Sequence, residues 1–350
     1  MKRILTIAAV LLLSVASFAQ TRTYVIGFYN LENLFDIYDD PAKNDQEYLP
    51  DGANNWTQAK YEKKLANMAK VIRSMKDDNG RYHTILGVSE IENRMVLEDL
   101  VAQPAIADAN YQIVHYDGPD RRGVDVALLY KPEQFNFIES ESIPFTFTGS
   151  EIDFSDTDTD YFRTRDILMV HGTIAGEHFA FYVMHLPSRV GGKGGNLRAR
   201  GAEIAYQHSL RMMEKYPGIK IVAMGDMNDD PFDESMAVYY HGRETLEEVG
   251  EQDYFNPFLK MVKDGMGSLC YQGQWSIYDQ LLVNRDLALA PEGGLKLMAI
   301  NKGYYGRIYK KRFMTTKSGQ YKGYPLRTFS QGGFINGYSD HFPTYIVISK

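Results

Sequence analysis

Apolar runs of four to eight residues recur along the chain, and several end abruptly in a carboxylate, an amide or an imidazole. The clearest is Ile221-Val222-Ala223-Met224-Gly225, which empties into Asp226, Met227 and Asn228 before Pro231 stops further extension. It reads as a buried strand delivering Asp226 and Asn228 to a sheet edge, where an i, i+2 pair in extended chain points the same way. A plainer reading, that both residues cap the next helix near Glu234, would serve for one strand alone. The arrangement recurs, however. Residues 23–29 end at Asn30, 85–89 end at Glu90, and 178–184 end at His185. Two later runs have the opposite sense: Asp279 precedes 281–284, and Asp340 and His341 precede 342–348. If these two strands run antiparallel to the others, all of these polar residues share one edge.

Helical spacing is equally legible. Tyr61, Leu65, Met68, Val71 and Ile72 keep a three-four interval through Met75 and predict a helix that Thr57 opens. A short helix follows Asn93 to about Val101, and a long amphipathic one covers 199–214. Strands at 111–116, 124–130 and 135–142 leave no room for helices between them and are expected to be antiparallel. Runs 167–174 and 178–184 form a hairpin turning at Gly176.

At 350 residues, 44% hydrophobic and 24% charged, the chain can bury a sizeable core. Lys2 and Arg3 precede an apolar run to Val15, and Ser17-Phe18-Ala19 offers a small-x-small cleavage site before Gln20. Residues 1–19 therefore read as a signal peptide and 20–350 as a single domain, periplasmic or secreted. No run is long enough for a transmembrane segment. Cys270 stands alone, so no internal disulfide is expected. Removing Lys2 and Arg3 from the 38 basic residues leaves 36 against 45 acidic ones, a net charge of about −9. That balance excludes a non-specific nucleic-acid coat but permits a local basic patch.

Such a patch lies at 301–329, which carries Lys302, Arg307, Lys310, Lys311, Arg312, Lys317, Lys322 and Arg327, interleaves tyrosines, and contains no acid. It reads equally as a polyanion-binding flap or as a solvated hairpin. The acid-rich stretch 151–160 lacks the glycine and terminal glutamate of an EF-hand and reads as a solvated loop. Arg122 and Arg165 beside strands, and Asn196 in the glycine-rich run that also holds Lys193, are candidate phosphate contacts.

Asn30 and Glu90 offer hard oxygen ligands suited to Mg2+ or Mn2+, with Ca2+ as a further option. His341 beside Asp279 or Asp340 makes an acid-oriented imidazole able to take a proton from water. Asp226 can align that water and Asn228 can bond a phosphoryl oxygen, so the set suits hydrolysis of a phosphate ester. No Gly-x-Ser-x-Gly element suggests a covalent nucleophile.

The motifs Tyr29-Asn30-Leu31-Glu32-Asn33, Ser89-Glu90-Ile91-Glu92-Asn93, Gly123-Val124-Asp125-Val126-Ala127, His185-Leu186-Pro187-Ser188-Arg189, Gly225-Asp226-Met227-Asn228-Asp229 and Ser339-Asp340-His341 occur in that order. Together they resemble the endonuclease/exonuclease/phosphatase superfamily. The resemblance implies an α/β fold of the deoxyribonuclease I type, a four-layer α-β-β-α sandwich of two mixed sheets flanked by helices. It implies Asn30 and Glu90 as a metal pair, Asp226 and Asn228 as the pair positioning nucleophile and phosphate, and Asp279 as partner of the base His341. His185 becomes a phosphate or transition-state contact and Asp340 a second metal-side carboxylate, with Ser188 and Arg189 near the substrate. Glu32 departs from relatives that carry Asp there.

The expected activity is a secreted, monomeric, metal-dependent phosphodiesterase acting on nucleic acid. The alternatives are a hydrolase of small phosphate esters, inositol phosphates or phospholipid head groups, and a non-enzymatic surface binder using the 25 tyrosines.

Overall fold

The computed structural model describes residues 22–147, 163–189, 194–300 and 303–350. The signal peptide expected at 1–19, the acid-rich stretch 151–160, Lys193 and Lys302 lie outside these residues.

In chain order the regular elements are β1 (Thr23–Leu34), α1 (Gln58–Asn79), β2 (Ile85–Ile91), α2 (Arg94–Val101), β3 (Gln112–His115), β4 (Asp125–Tyr130) and β5 (Phe135–Ile143). Next come β6 (Ile167–Ile174), β7 (Glu177–His185), α3 (Gly195–Lys215), β8 (Lys220–Asp226), β9 (Gly242–Arg243), β10 (Tyr254–Phe255) and α4 (Leu259–Lys263). The chain closes with β11 (Leu269–Tyr271), β12 (Gln274–Ser276), β13 (Asp279–Asn284), α5 (Arg285–Ala288), β14 (Lys296–Leu297), β15 (Gly306–Ile308), β16 (Phe329–Ser330), β17 (Gly333–Phe334) and β18 (Thr344–Ser349).

Two mixed sheets carry the fold. One has the order β14-β18-β1-β2-β4-β3 with β15 also on β18, and the other β5-β6-β7-β8-β13-β10-β9. β1 pairs with β2, and β7 with β8, in parallel; β18 and β13 run antiparallel to β1 and β8. The antiparallel condition for a shared edge is thus met. The expected run of three neighbouring strands splits: β3 and β4 pair, but β5 crosses to the second sheet and pairs with β6. In the β6–β7 hairpin Ala175 and Gly176 both have positive φ, the primed turn whose twist matches its strands.

Three apolar layers hold four layers of backbone. Ile26, Phe28, Phe181, Val183, Val222, Met224, Leu281 and Ile346 fill the space between the sheets. Val25, Tyr29, Leu86 and Val88 face α1 through Leu65, Met68 and Ile72, while Tyr182, Ile221 and Ala223 face α3 through Ala202, Ala205 and Tyr206. Because side chains alternate along a strand, the register that sends Phe28, Val183, Met224 and Leu281 inward also aims Asn30, His185, Asp226 and Asp279 into that inter-sheet layer at its open end. The α1 helix follows Thr57 as expected and closes at Gly80, whose φ of 69° is the left-handed conformation glycine adopts readily.

Candidate active site

The strand ends converge. Asp279 lies opposite Asp226 in the β13–β8 pairing, and His185 opposite Asp226 in β7–β8. From the other sheet, Asn30 Nδ2 donates to Asp226 Oδ2 at 2.9 Å and to Glu90 Oε1 at 3.0 Å, stitching the two sheets together. Asn30 therefore faces the acids with its nitrogen, while its oxygen accepts from Glu32 N. The amide bridges the two carboxylates.

Glu90 reaches the group by a backbone irregularity. Alternation along β2 would send it to the helix side with Leu86 and Val88, but the register shifts between Ser89 and Ile91, and Glu90 adopts φ 57°. That left-handed residue re-aims the carboxylate, as bulges beside active sites do. Glu90 Oε2 is then fixed by Asn33 N at 2.9 Å. Asn228 departs from expectation for a similar reason. The strand stops at Asp226, Asn228 has φ 51°, and its N–H turns back onto Asp226 Oδ1 at 3.0 Å while its Nδ2 donates to Leu186 O.

At the centre, His341 Nδ1 lies 2.7 Å from Asp279 Oδ2, and both side chains are buried. His341 Nε2 faces Asp226 Oδ2 at 3.8 Å and Asp340 Oδ1 at 4.0 Å. Burial works against an imidazolium, yet Asp279, Asp226 and Asp340 outweigh it and raise His341 well above the ordinary imidazole value. Burial raises the Asp226 carboxyl to about 7, with His341 opposing and Asp279 and Glu90 adding. His185 is shifted the other way: burial first, then Arg165, Arg122 and His341, hold it well below its usual range and hence neutral.

Glu90, His185 and Asp226 bring three ligand atoms within 4.8 Å of one another. The Nε2 of His185 faces Glu90 Oε1 and Asp226 Oδ2, each at 3.8 Å. A neutral imidazole beside two crowded carboxylates is a donor set that fits a divalent cation. Asp340 stands apart from that trio: its Oδ2 accepts from Arg327 Nη2 at 3.1 Å. A second trio, His115, Asp117 and Asp125, meets the same distance limit away from these strand ends.

The expected phosphate contacts divide. Arg122 is exposed, close enough to His185 to depress it, and without an ion pair among the described residues. Ser188 and Arg189 are exposed at the rim, where Arg189 bonds Asp233 at 3.0 Å and the Tyr278 hydroxyl at 3.2 Å. Asn196 is exposed on the first turn of α3. Arg165 is corrected: it is buried, and its Nε, Nη1 and Nη2 go to His185 O, Asp120 Oδ2 and Leu186 O. It braces the end of β7, with each of its three nitrogens engaged.

The basic stretch after residue 302 is largely pinned. Arg307 bonds the Tyr345 hydroxyl, Lys311 pairs with Asp78, Arg327 bonds Glu32 and Asp340, and Lys310 lies 4.2 Å above the Trp275 ring. Sequence patterning missed Ser268, whose Oγ donates to Asp279 Oδ2 at 2.5 Å. Nothing in its loop, between two glycines and a short hairpin, marks it beforehand.

Solved structures share this architecture. D. rerio TDP2 complexed with single strand DNA product superposes with a TM-score of 0.53 at 13% identity, over 94% of this chain and 99% of that one. A Bacteroides thetaiotaomicron mannosyl-6-phosphatase gives 0.53 at 14% identity over 93% and 99%. An endonuclease/exonuclease/phosphatase family protein from the same species gives 0.53 at 14% over 94% and 96%. No curated protein matches the sequence. The profile of the Endonuclease/Exonuclease/phosphatase family matches residues 25–350, nearly the whole of the described chain and every strand end of the site. The chain belongs to the Endonuclease/Exonuclease/phosphatase family and is a metal-dependent phosphoric ester hydrolase.

Proposed function

We propose that the protein is a phosphodiesterase that hydrolyses nucleic acid by attack of an activated water on phosphorus. The observation that carries this reading is the buried His341–Asp279 contact of 2.7 Å, with the far ring nitrogen turned toward the Asp226 cluster. Asp279 orients the ring and stabilises its charged form, the role a carboxylate plays behind a general base. Asp226 aligns the water, Asn228 meets a phosphoryl oxygen, and Asn30 keeps Glu90 and Asp226 in register.

Glu90, His185 and Asp226 would hold the divalent ion, Mg2+ or Mn2+, with Asp340 nearby. Bound there, it supplies positive charge that stabilises the phosphoryl oxygens and weakens the hold of the carboxylates on the His341 proton. His341 takes the proton of the attacking water and the leaving oxygen departs with a proton from solvent.

Support for a nucleic-acid substrate comes from the exposed cations Arg122 and Arg189 at the rim, and from the likeness to a TDP2 structure complexed with single strand DNA product. A second reading, hydrolysis of a small phosphate monoester, is favoured by the equal likeness to a mannosyl-6-phosphatase. A phospholipid head group is the third candidate. Among the described residues no helix is long and apolar enough to cross a membrane; the apolar run to Val15 and the small-x-small site before Gln20 support a mature protein in the periplasm or outside the cell.

The test is incubation of residues 20–350 with supercoiled plasmid, p-nitrophenyl phosphate and lipid vesicles in parallel, with Mg2+ or Mn2+ and with chelator. Chelator-sensitive nicking absent from His341→Ala supports the nuclease reading. Turnover of the small ester without nicking replaces it with the second.

A further inference from the structure

Glu32, Lys64 and Arg327 belong neither to the dyad nor to the metal-ligand trio, yet they form one connected group beside them. Glu32, two residues past Asn30, adopts φ 48°. Its side chain joins Thr328 and Arg327 instead of the trio: Oε2 accepts from Thr328 N at 2.7 Å and Thr328 Oγ1 at 2.8 Å, and Oε1 accepts from Arg327 Nε at 3.1 Å. Lys64, buried on α1, lies 3.7 Å from Glu32 and donates to Thr328 Oγ1 and Tyr338 O, each at 2.6 Å.

Arg327 is the outermost member. Its Nη2 donates to Asp340 Oδ2 at 3.1 Å, and the other oxygen of Asp340 lies 4.0 Å from His341 Nε2. One carboxylate therefore separates the guanidinium from the nitrogen that faces the reacting centre. Its Nη1 has no partner among the described residues, and 53% of the side chain is exposed. Glu90 is among the acids whose charge it feels.

Stability alone is a poor account of this group. An exposed arginine pair contributes little, and burying Glu32 with Lys64 costs desolvation that the pair recovers only in part. What two carboxylates and a buried lysine do achieve is a guanidinium held in one orientation at the mouth of the site. Lys64 and Arg327 balance Glu32 and Asp340, so the group offers a fixed donor edge, not a diffuse positive field.

Resting on the reading of this site as a phosphodiesterase, we propose that Arg327 is a specificity-determining residue whose Nη1 edge binds the phosphate next to the one being hydrolysed. Asp340 stands between Arg327 and the reacting centre, so the guanidinium serves a neighbouring anion and not the scissile group. The substrate class this selects is one with consecutive phosphates along a backbone, as in a polynucleotide, over an ester carrying a single phosphate.

The test compares wild type, Arg327→Met and Arg327→Lys on decathymidylate and on bis(p-nitrophenyl) phosphate, which has one phosphate. A separate readout is fluorescence anisotropy of labelled decathymidylate with chelator present, which needs no turnover. Loss of one charge-assisted hydrogen bond predicts a KM for decathymidylate raised about 10- to 100-fold in Arg327→Met, with kcat within about threefold. Anisotropy should weaken in parallel, bis(p-nitrophenyl) phosphate kinetics should stay within about twofold, and Lys should restore part of the binding because it keeps charge without the fork. Equal losses on both esters, or unchanged decathymidylate binding in the folded Met variant, overturn the proposal. Wild type inactive on both esters would sink the phosphodiesterase reading, while the anisotropy comparison would still decide the role of Arg327.

Discussion

His341 Nδ1 and Asp279 Oδ2 lie 2.7 Å apart although the residues belong to different sheets: Asp279 opens β13 and His341 leads into β18. The contact can form only when the two sheets are packed face to face, so the base is assembled by the same event that closes the inter-sheet core. Ser268 tightens it by donating to the same carboxylate oxygen, and Ser339 Oγ accepts the backbone N–H of His341 at 3.1 Å.

Removing the base or its partner should therefore cost catalysis more than folding. His341→Ala and Asp279→Asn are each expected to lower kcat by at least ~100-fold, the scale for general acid-base groups. Ser268→Ala should lower it by about tenfold, through one lost hydrogen bond to a buried carboxylate. Steady-state rates with circular dichroism on the same samples check this; rates near wild type in folded variants would remove the dyad from the mechanism.

Metal binding should be visible without turnover. With free Mg2+ or Mn2+ at about 100 times its dissociation constant, the folded state gains about 2.7 kcal/mol, seen as a rise in melting temperature that chelator reverses. Glu90→Gln and Asp226→Asn should abolish the rise. A rise preserved in both variants would place the ion elsewhere, with His115, Asp117 and Asp125 as the first alternative.

Arg165 separates bracing from binding. Arg165→Met leaves Asp120 buried and unpaired, a loss of roughly 3–5 kcal/mol by urea unfolding. In the folded fraction KM should stay near the wild-type value, because each nitrogen of Arg165 is engaged by His185 O, Asp120 or Leu186 O. A raised KM with unchanged stability would restore it as a phosphate contact.

Acid should weaken the fold through His83. Its ring is fully buried, neither nitrogen has a partner among the described residues, and it meets Tyr345 edge-on at 5.6 Å. Burial lowers it to about 3. In the unfolded chain the ring protonates near 6.5, so the unfolded state binds the extra proton, and stability is lost as pH falls from about 6.5 toward 3. The slope is about 1.4 kcal/mol per pH unit. Unfolding free energies from urea titrations between pH 7 and 4 should fall more steeply in wild type than in His83→Leu, by about this slope, because raised carboxyls such as Asp226 contribute with the opposite sign equally in both; identical slopes would assign the acid lability to other groups.

Much of the site could be read before folding because side-chain alternation is local. Asn30, His185, Asp226 and Asp279 each keep parity with apolar neighbours in their own strand, so the pattern that buries Phe28, Val183, Met224 and Leu281 also commits these four to the same layer. The strand senses, read from which side of each run carries the polar residue, then place them at one end. The helix under Thr57, the β6–β7 hairpin and the family motifs are local in the same way.

Tertiary structure decided what depends on residues far apart in the chain. It turned Glu90 against its strand parity through a left-handed backbone, and chose Asp279 over Asp340 as the closer partner of His341. It also consumed Arg165 on two carbonyls and an aspartate, and drew Arg327 onto Glu32 from 295 residues away. Sequence patterning sets which face of an element a side chain occupies. Which donor meets which acceptor is set by how the sheets and loops pack, because each buried polar group must find its partner among whatever that packing brings within about 3 Å.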